Sequence, residues 1–379
     1  MKRLTLVMVI VLICLFQSLA ISYAWDLPAS FDILAISFRF TGSSAIAIKY
    51  SYGDSTIVTP EWKYNVNSDE VEWNKRFAYV KNTAPDVKVQ FWDDGTPRGY
   101  SNLTIEATRV MGTPIWDLDS TLVSFVHADS NYTSFIRFST ESGTSIGSSV
   151  KDSFLNWRWR VVKVDGDYIS PTRLIGNTFH DYYCVQSTPI APMSEPWDEV
   201  LTKSTSYAAD ESTDSGIISD LTNMLYIGDY EYDIDTSRSN STGVYLDSLL
   251  TDIINDSPTL MDCRDYSHFL NILAASLGVS SKYCKIDPFS GSNFDTNYLY
   301  PSGCDIISTI NWTFHNISWF NSQVVDSATK IDNDADPTSS PHTWKLPVGD
   351  LSLASYEDKL SEDSLSTGSD YQTNVYTLP

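Results

Sequence analysis

The hydrophobic pattern of this chain changes period at one place, the proline-rich stretch Thr188-Pro189-Ile190-Ala191-Pro192-Met193-Ser194-Glu195-Pro196. From about Phe31 to Tyr183, before that stretch, apolar residues alternate with polar ones. Ile46, Ile48 and Tyr50 do so, as do Val87, Val89 and Phe91, then Leu103, Ile105 and Ala107, then Ile136 with Phe138, then Trp157, Trp159 and Val161. A period of two places one set of side chains on one face of a strand. Turn material separates the runs, at Asp94-Gly95, Gly112-Thr113-Pro114, Ser142-Gly143 and Asp165-Gly166. The pattern predicts an antiparallel β-sandwich over residues 25–187.

After the prolines the period becomes helical. Ser194 is placed to cap a helix, with Pro196 in its first turn and Trp197, Val200 and Leu201 on its apolar face. Ile217, Leu221 and Leu225 form a second stripe; Tyr245, Leu246, Leu249, Leu250, Ile253 and Ile254 form a third. Strands followed by mixed helices and strands read as an α+β chain. The second domain is expected over 188–360. From about Asp350 serine and acidic residues dominate, which reads as a poorly ordered end, with 361–379 as a tail. A length of 379 residues exceeds the usual size of one core, so two are expected.

The N-terminus reads as a secretory signal over 1–24: Met1-Lys2-Arg3, an apolar run from Leu4 to Phe16, then Ser22-Tyr23-Ala24 before the expected cleavage. Ala20 is the second choice of cleavage site. The apolar run is short for a membrane span. The mature chain is therefore expected to be secreted, extracellular or periplasmic, with no membrane span. Its formal net charge of -23 repels phosphate backbones and anionic headgroups, which excludes nucleic acid and anionic lipid as natural partners.

Removing the signal takes Cys14 and leaves Cys184, Cys263, Cys284 and Cys304. An even count in an exported chain suggests two disulfides. Cys263, however, opens a helix, where a thiol is better used as a thiolate. The remaining pair, Cys284 and Cys304, is expected to be bridged, at a gain on the order of 3 kcal/mol, with Cys184 free and buried. Asp332, Asp334 and Asp336 form at most a weak cation site. The cysteine and histidine spacings do not suit a structural metal, so no metal and no cofactor are expected.

The residues that suggest chemistry begin with Cys263. The helix Cys263-Arg264-Asp265-Tyr266-Ser267-His268-Phe269-Leu270, continuing to Gly278, directs its first N–H groups and its positive end at the sulfur, which favours thiolate. A thiolate nucleophile needs an imidazole to move protons and a carboxylate to fix the imidazole tautomer. His315 and Asp326 supply these, on two strands joined by a tight turn at Asn321-Ser322. His342, in His342-Thr343-Trp344, is the rival base. His180 and His268 read as structural, and Asp265 as a local structural group. The only oxyanion donor that can be named is the Cys263 backbone N–H.

Cys263 to Tyr283 resembles the core motif of the transglutaminase-like superfamily, whose fold is papain-like. Cys263, Asp265, Ser267, Leu270, Leu273, Leu277, Gly278 and Val279 match its pattern in order; His315 and Val325-Asp326-Ser327-Ala328 match its later strands. Glu195 to Val200 resembles its opening helix, so the likeness runs from about Pro196 to Leu360. Two departures stand out: His315 is followed by Asn316 and Ile317 where His-Ala-Trp is frequent, and Asp287 to Asp305 is a long insertion. The resemblance implies thiol acyl transfer on a protein or peptide substrate, ending in cross-linking or in hydrolysis. The competing expectation is an inactive surface protein whose Trp62, Trp73, Trp92 and Trp116 bind glycans or peptides.

Overall fold

The computed structural model describes residues 31–41, 43–50, 56, 59–93, 100–111, 116–124, 131–235, 239–240, 243–244, 259–288, 293–304, 308–362 and 365–367. The expected signal 1–24 and the stripe from Tyr245 to Ile254 lie outside them. The described chain is mostly β, with several antiparallel sheets and four helices, an α+β arrangement.

The first half contains β1 (Phe31–Ser37), β2 (Trp62–Asn65), β3 (Glu70–Asn74), β4 (Phe77–Val80), β5 (Val87–Asp93), β6 (Asn102–Met111), β7 (Leu118–Ser124), β8 (Ile136–Phe138), β9 (Lys151–Val164) and β10 (Asp167–Val185). They form two five-stranded sheets, ordered β3-β2-β1-β5-β8 and β4-β10-β9-β6-β7. Pairing is antiparallel except at β4, which runs parallel to β10. A strand that pairs with one entering much later in the chain is not bound by a hairpin, and alternation alone carries no sign of its direction.

Both sheets feed one apolar cluster. Val87, Val89 and Phe91 of β5 and Trp157, Trp159 and Val161 of β9 are fully buried in it. Trp116 meets Trp157 edge-on at 5.0 Å, a favoured geometry for aromatic rings. Trp62 and Trp116 belong to this core. Trp92 is half-buried, and Trp73 donates its indole N–H to the Pro60 carbonyl at 2.8 Å.

The second half carries α1 (Asp198–Tyr207), α2 (Asp214–Ile227), α3 (Cys263–Ser276) and α4 (Leu353–Leu360). α1 starts after Trp197 without a side-chain cap, and Asp198 and Glu199 face its positive end instead. The expected Ser194 cap thus lies short of the helix. Its central sheet comprises β11 (Lys282–Pro288), β12 (His315–Phe320), β13 (Gln323–Val325), β14 (Val348–Leu351) and β15 (Leu365–Thr367), in the order β14-β13-β12-β11-β15 and antiparallel throughout.

The acidic end is more ordered than its composition suggests. Ser352 caps α4 through the Ser355 N–H, and Tyr356 and Leu360 are buried beneath Glu357 and Asp358. Within the expected tail, Leu365–Thr367 adds an edge strand by pairing with Ile286–Pro288. A stripe at i, i+3 and i+7 outweighed the polar background.

α3 is the buried axis of this half. Every side chain from Asp265 to Ser276 is buried, polar ones included. Two of its buried polar side chains bond within the helix: Asn271 donates to the Ser267 carbonyl at 2.8 Å, and the Ser276 hydroxyl to Leu273 at 2.7 Å. At its end Gly278 takes φ +78, the left-handed turn that glycine adopts without strain. The stretch after β10 packs there, with the Ser187 N–H on Leu277 and the Ile190 N–H on Ala275. The core around α3 also takes in Ile48, Ala78, Tyr183 and Val185 from the first half. Among the described residues no helix is long and apolar enough to cross a membrane.

Candidate functional site

Asp262 sets the start of α3. Its carboxylate accepts from the N–H groups of Arg264 at 2.9 Å and Asp265 at 3.0 Å, and Asp265 reaches back to the Asp262 N–H at 3.4 Å. This capping box gives the buried Asp265 a structural role. It leaves the Cys263 N–H, at the first helical position, outside the cap. The thiol is 5% exposed.

His315 opens β12. The hairpin pairs Ser318 with Val325, Trp319 with Val324 and Phe320 with Gln323. Asn321 and Ser322 both take positive φ, 49° and 63°, as a two-residue loop between right-twisted strands requires. That register brings His315 to Asp326, Nε2 to Oδ2 at 3.1 Å, both side chains fully buried. Asp326 also accepts from the Thr329 hydroxyl at 2.7 Å, the Tyr356 phenol at 2.7 Å, and the N–H groups of Ala328 at 2.9 Å and Thr329 at 3.2 Å. A carboxylate with so many donors stays charged although it is buried.

The electrostatics follow from this geometry. Burial pushes the His315 imidazole down, but the charge and hydrogen bond of Asp326, joined by Cys263, outweigh burial and bring it up to about 9. Burial pushes the Asp326 carboxyl up, and His315, Thr329 and Tyr356 together hold it below the usual carboxylate range. Trp312 stacks on the imidazole with ring centres 4.2 Å apart and planes 7° apart. His315 Nδ1 makes no hydrogen bond of good geometry, while the Cys263 thiol stands close enough to the ring to raise it. Asn316 points its amide N–H at the sulfur, 3.6 Å away. Burial, with Cys263 and Asp262 beside it, keeps the Tyr232 phenol well above its ordinary range, so it remains a hydrogen-bond donor.

A cleft of roughly 230 Å³ opens at the thiol, walled by Tyr232, Ile234, Arg264, Trp312 and Phe314. Arg264 is held by Asp262 at 2.8 Å and lies over the Phe314 ring. A larger cleft of roughly 370 Å³, lined by Asp295, Asn297, Tyr298 and Glu362, contains neither cysteine nor histidine. The smaller cleft has the Cys263 thiol in its lining, with the buried His315–Asp326 pair close to that thiol.

The other expected residues fall elsewhere. His342 pairs with Asp332 at 2.6 Å between Tyr298 and Trp344, a second histidine–carboxylate pair. His180 is buried against Phe38 and Trp157, and burial alone pushes it down to about 3. His268 stacks on Tyr283. The expected Cys284–Cys304 bridge is absent, and Cys284, Cys184 and Cys263 are free thiols. Cys284 lies buried in β11 opposite Ile317, whereas Cys304 donates to the Tyr232 carbonyl at 3.7 Å; the two have separate surroundings. Asp332 and Asp334 turn their carboxylates onto the N–H two residues ahead.

Sequence reasoning missed Tyr356, Thr329, Trp312, Tyr232 and Asn316. Only Tyr356 carried a usable signal, the Leu353, Tyr356 and Leu360 spacing behind a serine cap.

No family model matches the chain, and no curated protein does. Among solved structures, a candidate cysteine protease from Cytophaga hutchinsonii is similar, with 13% identity over 70% of this chain and 77% of that one and a TM-score of 0.21. Likeness at that level carries no argument, so any functional reading rests on the residues themselves.

Proposed function

We propose that the chain is a secreted thiol acyl-transfer enzyme, with Cys263 as nucleophile, His315 as proton carrier and Asp326 as the group that holds the imidazole. In this reading residues 25–187 form a β-sandwich, and 188–360 a transglutaminase-like domain of papain-like fold. The observation that carries it is the buried His315–Asp326 pair at 3.1 Å beside a thiol at a helix start. A buried imidazole raised to about 9 is protonated at neutral pH, which is the form that stabilises a neighbouring thiolate and protonates a leaving amine.

The reaction then has two steps. The thiolate displaces an amine from a carboxamide or peptide carbonyl, and His315 gives that amine its proton. The neutral imidazole next takes a proton from water or from an acceptor amine, which attacks the thioester and frees Cys263. Asp326 stays charged throughout and fixes the tautomer. Of the four tryptophans in the competing binding-protein reading, Trp62 and Trp116 lie in the core, which leaves only the half-buried Trp73 and Trp92 to it.

A glutamine-containing peptide incubated with and without a lysine-type amine tests the reading. Ammonia release that depends on Cys263 is expected, with the product mixture showing whether water or amine is the acceptor. No release with any carboxamide or peptide tried, from folded protein with an accessible thiol, would count against acyl transfer.

A further inference from the structure

We infer that Asn316 is a catalytic residue that holds the developing oxyanion when Cys263 attacks a carbonyl, an inference that rests on the acyl-transfer reading above. Asn316 follows His315 on β12 and is 1% exposed. Its Nδ2 lies 3.6 Å from Sγ, and its Oδ1 accepts from the Tyr283 phenol at 2.5 Å. In this arrangement the phenol donates to the amide oxygen and the NH2 group is turned to Cys263. Tyr283 is itself fixed, stacked on His268 with ring centres 4.5 Å apart. The amide is therefore an oriented donor in a buried site.

Sulfur is a weak acceptor for that amide. An oxygen on the carbon bonded to Sγ comes within closer reach. The Cys263 N–H, outside the capping box, supplies a second donor at the same sulfur. When the thiolate attacks, a C–S bond forms and the carbonyl π pair moves onto oxygen. Asn316 and the Cys263 N–H hold that charge until the C=O bond re-forms, the C–N bond breaks and the amine leaves with the proton from His315. Donors preset in a water-poor site stabilise such charge without reorganising.

Two reactions of one thiol separate this role from a merely structural one. Acylation by p-nitrophenyl acetate passes through an oxyanion; alkylation by iodoacetamide does not. Asn316→Ala should slow acylation of Cys263 by roughly 10²–10³-fold, the usual effect of losing one such donor, and leave alkylation nearly unchanged. Tyr283→Phe keeps the ring stack but releases the amide, and should give a smaller fall in acylation alone; it also tests the role if Asn316→Ala does not fold. An equal fall in both reactions would mean that Asn316 acts on the sulfur, and an unchanged acylation rate in both variants would mean that it does not act; either overturns the assignment. A wild-type protein that alkylates but never acylates would instead refute acyl transfer itself, and the oxyanion assignment with it.

Discussion

Replacing Asp326 by asparagine should switch the His315 imidazole from protonated to neutral over the neutral pH range. The molecule contains its own control. His180 is as buried as His315 but has no carboxylate, and it is pushed down to about 3. His315, with Asp326 at 3.1 Å, is brought up to about 9. Without the carboxylate charge, burial dominates and the imidazole should fall below its ordinary 6.5. A group raised in the folded state contributes stability that is complete below its unfolded value and lost as pH rises through the folded one. The His315 contribution is therefore present below 6.5 and lost through about 9, and it is on the order of 3 kcal/mol. Asp326 has the opposite sign: its contribution is present above its ordinary 3.8 and lost on acidification. Imidazole NMR of the five histidines, with His315 assigned from His315→Gln, reads the titration directly, and urea unfolding below pH 6.5 and above pH 9 reads the stability. The asparagine also favours the wrong tautomer, so turnover should fall by on the order of 10⁴. A wild-type His315 that titrates at or below 6.5, or one that still titrates near 9 in Asp326→Asn, would refute the reasoning.

Tyr356→Phe removes the phenol that donates to Asp326 at 2.7 Å, and should cost about 1.5–3 kcal/mol, as for a hydrogen bond to a charged group, with a parallel loss of turnover; unchanged unfolding and rate would show that α4 does not brace the carboxylate. His342→Ala should leave turnover nearly intact, because His342 is paired with Asp332 and with no thiol, and a dead variant would make His342 the base. Gly278→Ala forces a side chain into φ +78 and places Cβ 2.5 Å from the Ser187 carbonyl oxygen. It should destabilise by about 1–3 kcal/mol for the backbone strain alone, and a urea midpoint equal to wild type would show that the α3 end and the stretch after β10 can separate.

What the sequence disclosed was local. Cys263 opening a helical run that closes at Gly278 defines α3, though not the Asp262 cap before it; Asn321-Ser322 between alternating residues defines the β12–β13 hairpin. These signals lie within a few residues of the elements they specify. The parallel β4–β10 pairing, the Tyr356 bond to Asp326 and the Tyr283 bond to Asn316 join residues far apart in the chain. Periodicity says nothing about such partners. The cysteines show the same limit: an even count suggested pairing, but whether two thiols meet depends on where β11 and the turn after Pro301 lie. The acidic end misled for another reason, since composition averaged over the segment hid three well-spaced apolar residues in α4.

The central claim is that Cys263 becomes acylated with His315 protonated beside it. Intact-mass and peptide mapping after rapid acid quench of the enzyme with p-nitrophenyl acetate tests it most directly. The account predicts one acetyl group on Cys263 in wild type and none on the same peptide in Cys263→Ala, with Cys184, Cys284 and Cys304 unmodified. Acylation of another residue at the wild-type rate in Cys263→Ala, or a wild-type Cys263 that stays unmodified while accessible to iodoacetamide, would contradict it.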